Sequence, residues 1–194
     1  ASGKSLCFHL PILEALAANS DARALYLFPT KALARDQLGK VSALAPEIHM
    51  GAYDADTPRE QRRSLRDGAR LLLTNPDLLH LGILPYHLRW GEFFANLRYV
   101  VIDEIHAYRG VFGTHVGHVL RRLRRIAAAH GASPQFLLAS ATIANPAEHA
   151  ETLIGAPVNL IRGDGAPHGE RAFLLWDAYR QGRRRLELAQ TSYL

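Results

Sequence analysis

The sequence predicts an α/β domain built on a mostly parallel sheet with helices on both faces. Three observations predict it. Apolar runs bounded by turn residues alternate along the chain with stretches of helical spacing, the pattern of repeated βαβ units. Runs such as LYLF (25 to 28) and YVVI (99 to 102) are apolar at every position, as strands covered by helices on both sides must be. Of the 194 residues, 48% are hydrophobic, which supports a packed core rather than disorder.

The elements follow in order. Strands are expected at ALYLF (24 to 28), IHMGAY (48 to 53), RLLLT (70 to 74), RYVVID (98 to 103) and QFLLAS (135 to 140). Helices are expected over Lys4 to Ala18, Ala32 to Ala43, Arg59 to Asp67, Trp90 to Asn96, Gly113 to His130 and Ala147 to Ile154. In the longest helix Val116, Val119, Leu120, Leu123 and Ile126 form an apolar stripe that leaves Arg121, Arg122, Arg124 and Arg125 largely outside it. Beyond Ile154 the pattern weakens, and PVNLI (157 to 161) and RAFLLW (171 to 176) read as strands around a glycine-rich turn. The domain is therefore expected over residues 1–162. Residues 163–194 read as an extension or linker toward a further domain.

The net charge of +5 permits an anionic partner. Much of the excess sits in RRLRR (121 to 125) and RRR (183 to 185), and clustered arginines on one helix read more readily as a solvated face. The single cysteine, Cys7, excludes an internal disulfide and a cysteine-built zinc site and is assigned to core packing. No apolar stretch approaches the roughly 20 residues of a membrane span, and no leader is recognisable, so no membrane partner and a cytoplasmic location are expected. The chain starts inside a motif and without methionine, so a fragment is expected.

In such sheets ligands bind beyond the carboxyl ends of the strands. Four strands end there on informative residues: Pro29-Thr30-Lys31, Thr74-Asn75-Pro76-Asp77, Asp103-Glu104-Ile105-His106, and Ser140-Ala141-Thr142. Asp103 and Glu104 follow an apolar strand directly, and two carboxylates there are costly unless a cation or donors meet them. A nucleotide-bound Mg²⁺ meets that need: one acid anchors the metal's water shell, and its neighbour deprotonates an attacking water. Taken alone, the pair fits helix capping equally well. Ser2-Gly3-Lys4-Ser5 opens a helix in the manner of a phosphate-binding loop, whose lysine contacts phosphates and whose hydroxyl reaches Mg²⁺. Three residues are weak alone; a GKS opening a helix and an acid pair about one hundred residues later, in the relation typical of phosphate-loop nucleotide hydrolases, point to a nucleotide site.

The ordered set GKS, PTKALARDQL (29 to 38), TNPD (74 to 77), DEIH (103 to 106) and SAT (140 to 142) resembles the first RecA-like domain of superfamily 2 DExH-box helicases over essentially the whole chain. TNPDLLHLGILP, VVIDEIHAYRGVFGTHV and LASATIANPAEH resemble more narrowly the MrfA-type branch, DNA-repair helicases related to the RecQ-four-like enzymes of fungi. The resemblance implies a RecA-like P-loop NTPase fold, ATP and Mg²⁺ as cofactors, and DNA, single-stranded or tailed duplex, as partner. It implies that Lys4 holds the β and γ phosphates, with Ser2 and Gly3 in the same loop, that Ser5 and Asp103 bind the metal, and that Glu104 is the general base. It further implies that His106, Ser140, Ala141 and Thr142 couple the nucleotide to the nucleic-acid groove, and that Pro29, Thr30, Lys31 and Thr74 to Asp77 touch a tracking strand. Helix capping is an equally good reading of Thr30 and Thr74.

A motor of this kind hydrolyses ATP between two RecA-like domains, so the resemblance also implies a second such domain in the same polypeptide and a nucleoid-associated, 3′ to 5′ DNA-repair motor. Arginine fingers from that domain are worth about 10³ to 10⁵ in rate in related systems, so these residues alone are expected to be nearly inactive. An RNA helicase, a double-strand translocase and a non-catalytic nucleic-acid-binding module stay open as alternatives. YDADTPRE (53 to 60) resembles a family segment with glycine where Ala55 stands. Tyr108, Arg109 and Phe112 could line the groove, and Tyr108 and Phe112 could equally be core. Trp90 and Phe93 read as packing.

Overall fold

The computed structural model describes residues 3–141 and 143–161. Ser2, Thr142 and the expected extension at 163–194, including the RAFLLW strand, lie outside the described residues. In chain order the elements are α1 (Lys4–Ala18), β1 (Arg23–Leu27), α2 (Lys31–Leu44), β2 (Met50–Ala52), α3 (Arg59–Gly68), β3 (Leu71–Thr74), the single turn α4 (Pro76–Leu78), α5 (Gly91–Ala95), β4 (Leu97–Ile102), α6 (Gly110–Ala129), β5 (Gln135–Leu138) and α7 (Pro146–Ile154). All five expected strands pair in parallel in the order β2-β3-β1-β4-β5.

Side-chain alternation divides the core into two layers. On one face Ala24, Tyr26, Phe28, Leu71, Leu73 and Val101 meet Phe8, Ile12 and Leu16 of α1 and Ala34 and Val41 of α2. On the other, Leu25, Leu27, Leu72, Val100 and Ile102 meet α5, α6 and α7. Every residue of β1 and β3 is buried, which is why both strands are apolar almost throughout.

Two expectations fail locally. PVNLI (157 to 161) forms no strand. Pro157 has no N–H for a ladder, and the next amide, Val158 N–H, donates to Glu151 Oε1 of α7 (3.2 Å). Cys7 is exposed rather than in the core, because the buried stripe of α1 runs through Phe8, Ile12 and Leu16. The helix expected from Trp90 is preceded by a π turn (Leu79–Ile83) and a 3₁₀ stretch (Leu84–Trp90); Pro85 supplies no amide there. Trp90 and Phe93 are packing as expected, each 2% exposed, with Trp90 edge-on to Tyr53 at 5.2 Å.

One polar group interrupts the α1 side of the core. His9 is 1% exposed, its Nε2 lies 3.2 Å from Gln37 Oε1 of α2, and its Nδ1 lies 3.4 Å from the Tyr26 hydroxyl of β1. Burial holds its pKa below the ordinary value of 6.5 and the Lys40 charge adds to the effect, while the Gln37 bond opposes it. The folded state therefore binds a proton at this ring less readily than the unfolded chain, which does so as pH falls through 6.5. Its contribution is present above that pH and lost below it. Urea unfolding of wild type and His9→Gln between pH 8 and pH 5 is expected to show a steeper acid loss in wild type, the excess being at most about 1.4 kcal/mol per pH unit.

Candidate nucleotide and nucleic-acid site

The carboxyl ends of β1, β4 and β5 and the first turn of α1 converge. Asp103 N–H donates to Leu27 O (3.0 Å), Ala139 N–H to Ile102 O (2.9 Å) and Ile105 N–H to Ala139 O (3.0 Å), so the sheet bonds continue past the strands into the acid motif. Gly3 precedes α1 with φ +66, and a Cβ there would meet nothing within 4 Å. Conformation, rather than space, favours glycine at this position. Lys4 Nζ reaches across to Ser140 O (2.9 Å), which brings the GKS and SAT motifs together although 136 positions separate them. Ser5 is half-buried in the same first turn.

Asp103 is 7% exposed, and its Oδ1 accepts the Glu104 N–H (2.8 Å). Burial raises its pKa above the ordinary carboxylate value and the Glu104 charge adds to this; the Glu104 amide, Lys4 and His106 oppose it. A buried acid held uphill in this way fits a site completed by a cation. Among the described residues no three His, Cys, Asp or Glu side chains cluster as a metal cage. One acid and one hydroxyl suit Mg²⁺, which keeps waters and takes phosphate oxygens as its remaining ligands.

Glu104 has φ +54 and ψ +43, the one non-glycine positive φ among the described residues. That conformation costs an L-residue roughly 1–2 kcal/mol and turns its side chain toward His106, with Oε2 at 3.0 Å from Nδ1. The same Nδ1 lies 3.3 Å from the Ala141 amide nitrogen. A protonated Nδ1 donates to Glu104; an unprotonated one accepts from Ala141. The ring thus connects the acid motif to the SAT strand end through alternative bonds. The Ser140 hydroxyl is buried with no hydrogen-bond partner among the described residues.

The nucleic-acid candidates divide. Thr30 caps α2, its Oγ1 accepting Leu33 N–H (3.3 Å), while Pro29 is half-buried beside it and Lys31 is exposed. Lys31 Nζ pairs with Asp56 at 2.6 Å, so an incoming phosphate would compete with that carboxylate. Asn75 caps α4 through Leu78 N–H (2.8 Å). Thr74 is corrected as a surface contact: it is 1% exposed and its hydroxyl donates to Tyr53 O (2.7 Å). Pro76 is buried too, which leaves Asp77 as the exposed side chain of that stretch.

Three features are decided by the fold, one of them Tyr108, for which the sequence left groove and core open. Arg35 grips the buried Asp54 with two bonds (3.0 and 3.1 Å), fixing the YDADTPRE segment against α2; only the fold places them together. Tyr108 is 1% exposed and its hydroxyl has no partner among the described residues. Burial first, then the charges of Asp103, Asp77 and Glu104, push its pKa upward. Arg121 and Arg124 donate to the last carbonyls of α7, at Thr152, Ile154 and Gly155 (2.9 to 3.1 Å). They cap a helix end rather than decorate a solvated face.

A lysine at a helix start, an acid pair on a strand end and a parallel α/β sheet together define a domain of RecA-like fold. Residues 1–150 match the DEAD/DEAH box helicase family, and the chain belongs to it. It is 48% identical over 181 residues to a Bacillus subtilis (strain 168) protein described as the uncharacterized ATP-dependent helicase YprA, covering 91% of this chain and 24% of that one. It is 42% identical to the ATP-dependent helicase hrq1 of Schizosaccharomyces pombe (strain 972), covering 91% of this chain and 17% of that one. It superposes on the crystal structure of DUF1998 helicase MrfA bound to DNA and AMPPNP with a TM-score of 0.83 at 50% identity, over 87% of this chain and 24% of that chain. The chain thus spans a quarter or less of the length of these relatives.

The strain at Glu104 is open to a direct test. Glu104→Gly is expected to unfold at higher urea than Glu104→Ala, by about 1 kcal/mol, inverting the usual order of alanine over glycine. The usual order, with Glu104→Ala the more stable by about 0.5–1 kcal/mol, would show that the positive φ carries no strain.

Proposed function

We propose that this chain is the first motor domain of an ATP-dependent DNA helicase, binding ATP and Mg²⁺ at the carboxyl ends of β1, β4 and β5. The observation that carries the reading is the convergence of Lys4, Asp103, Glu104, His106 and the Ser140-Ala141 backbone at one end of the sheet. Lys4 contacts the β and γ phosphates, with the α1 amides behind it. Ser5 and Asp103 would hold Mg²⁺, which would supply positive charge against the phosphate oxygens. Glu104, aimed by its left-handed backbone, takes the proton of the attacking water. His106 passes the state of that base to the SAT strand end.

DNA as the partner rests on the relative whose crystal structure is described as bound to DNA and on contacts suited to phosphate rather than base. Thr30, Lys31 and Asn75 lie at helix starts that offer a hydroxyl, amides and an ammonium group, with Asp77 beside them, chemistry that ignores sequence. Motion 3′ to 5′, a DNA-repair role and nucleoid association extend the same resemblance. A second RecA-like domain completes the nucleotide site and supplies the arginine fingers.

The deciding experiment measures DNA-stimulated ATP hydrolysis by the full-length protein. Glu104→Gln is expected to lower the stimulated rate by about 10² to 10⁴ while retaining ATP binding. An unaffected rate would remove Glu104 as the base, and stimulation by RNA but not DNA would replace the partner.

A further inference from the structure

The outer face of α6 carries a stripe that the motor chemistry does not use. Phe112, His115, His118, Arg122 and Arg125 follow one another at spacings of three and four, so they share one face over about 20 Å of helix. They line a surface cavity of about 530 Å³ together with Pro76 and Asp77, the turn assigned above to the nucleic-acid strand. Three arginines line it against one carboxylate, Asp77. The RRLRR run divides here by function. Arg124 and Arg121 are spent on α7 carbonyls. The Arg122 guanidinium lies 3.5 Å from His80 Nδ1, and among the described residues neither Arg122 nor Arg125 has a carboxylate within 4.0 Å.

Unpaired guanidinium groups beside a partly exposed aromatic ring are the equipment of a sequence-independent nucleic-acid groove. Guanidinium forks hold phosphates, and an aromatic face stacks any base. Phe112 is 41% exposed and leans on the buried Tyr108 ring at 5.7 Å, which fixes one side of it and leaves the rest open. We propose that α6 extends the nucleic-acid track: a strand leaving the Asn75–Asp77 turn runs along α6, its phosphates against Arg122 and Arg125 and one base on Phe112. Continuity with Pro76 and Asp77 favours a nucleic-acid backbone over an acidic protein segment. The inference rests on the motor reading.

The test is the salt dependence of binding by the full-length protein to a labelled oligothymidylate, read by fluorescence anisotropy. Each phosphate of a single strand that the protein neutralises adds about 0.7 to the steepness of the log–log salt slope. Arg122→Gln/Arg125→Gln removes two such charges, so the slope is expected to flatten by about 1.4 and binding to weaken equally for all sequences. Phe112→Ala is expected to weaken binding several-fold with the slope unchanged. Arg98→Gln, an exposed change in β4 near its amino end, is the charge control and is expected to leave both quantities as in wild type. A double-variant slope equal to that of wild type, or a change no larger than that of Arg98→Gln, assigns the cavity to another anionic partner and overturns the proposal. A wild type that binds no oligonucleotide overturns the motor reading and the α6 track with it.

Discussion

The bond from Glu104 N–H to the Asp103 carboxylate organises this end of the molecule. It satisfies one oxygen of a buried acid and, in doing so, holds the next residue in a left-handed turn. From that turn the chain reverses soon enough for Ile105 N–H to reach Ala139 O, tying the β4 exit to the β5 exit. A residue with ordinary strand dihedrals at position 104 would carry the chain onward along the strand axis, and the carboxylate of Glu104 would lose its aim at His106. The local backbone cost is met by the sheet, whose ladders overdetermine the path on both sides.

The sheet can bear this because its centre is rigid. β3, β1 and β4 form consecutive central strands, each covered on both faces. Packing of this density leaves little room to relax, so the strand exits are fixed relative to one another. The polar cluster of His9, Tyr26 and Gln37 adds direction to that packing. It joins α1, which begins at Lys4, to α2, which Thr30 caps, through the strand between them.

Much of this was legible in the residues themselves. The boundaries of α1 and the pairing of five parallel strands follow from apolar period and turn signals, because burial on two faces writes a continuous apolar run. The acid motif and GKS were recognisable as partners because their chemistry requires each other. The sequence was silent where tertiary geometry decides: whether a polar side chain such as Thr74 turns inward, which of four neighbouring arginines meets a helix end, and how the 79–90 stretch resolves into π and 3₁₀ turns. Cys7 was misplaced for the same reason, since one helical step separates it from the buried Phe8.

The bonds from Arg121 and Arg124 to the end of α7 have a mechanical side. They clamp the point at which the chain leaves α7, at Gly155, to the middle of α6. The amino end of α6 begins at Gly110, four residues past the histidine of the acid motif. A pull on the chain beyond residue 155 is therefore borne first by two guanidinium groups and passes along α6 from Arg124 back to Gly110, toward the acid motif. In this domain α6 is a strut, loaded at one place and anchored at another.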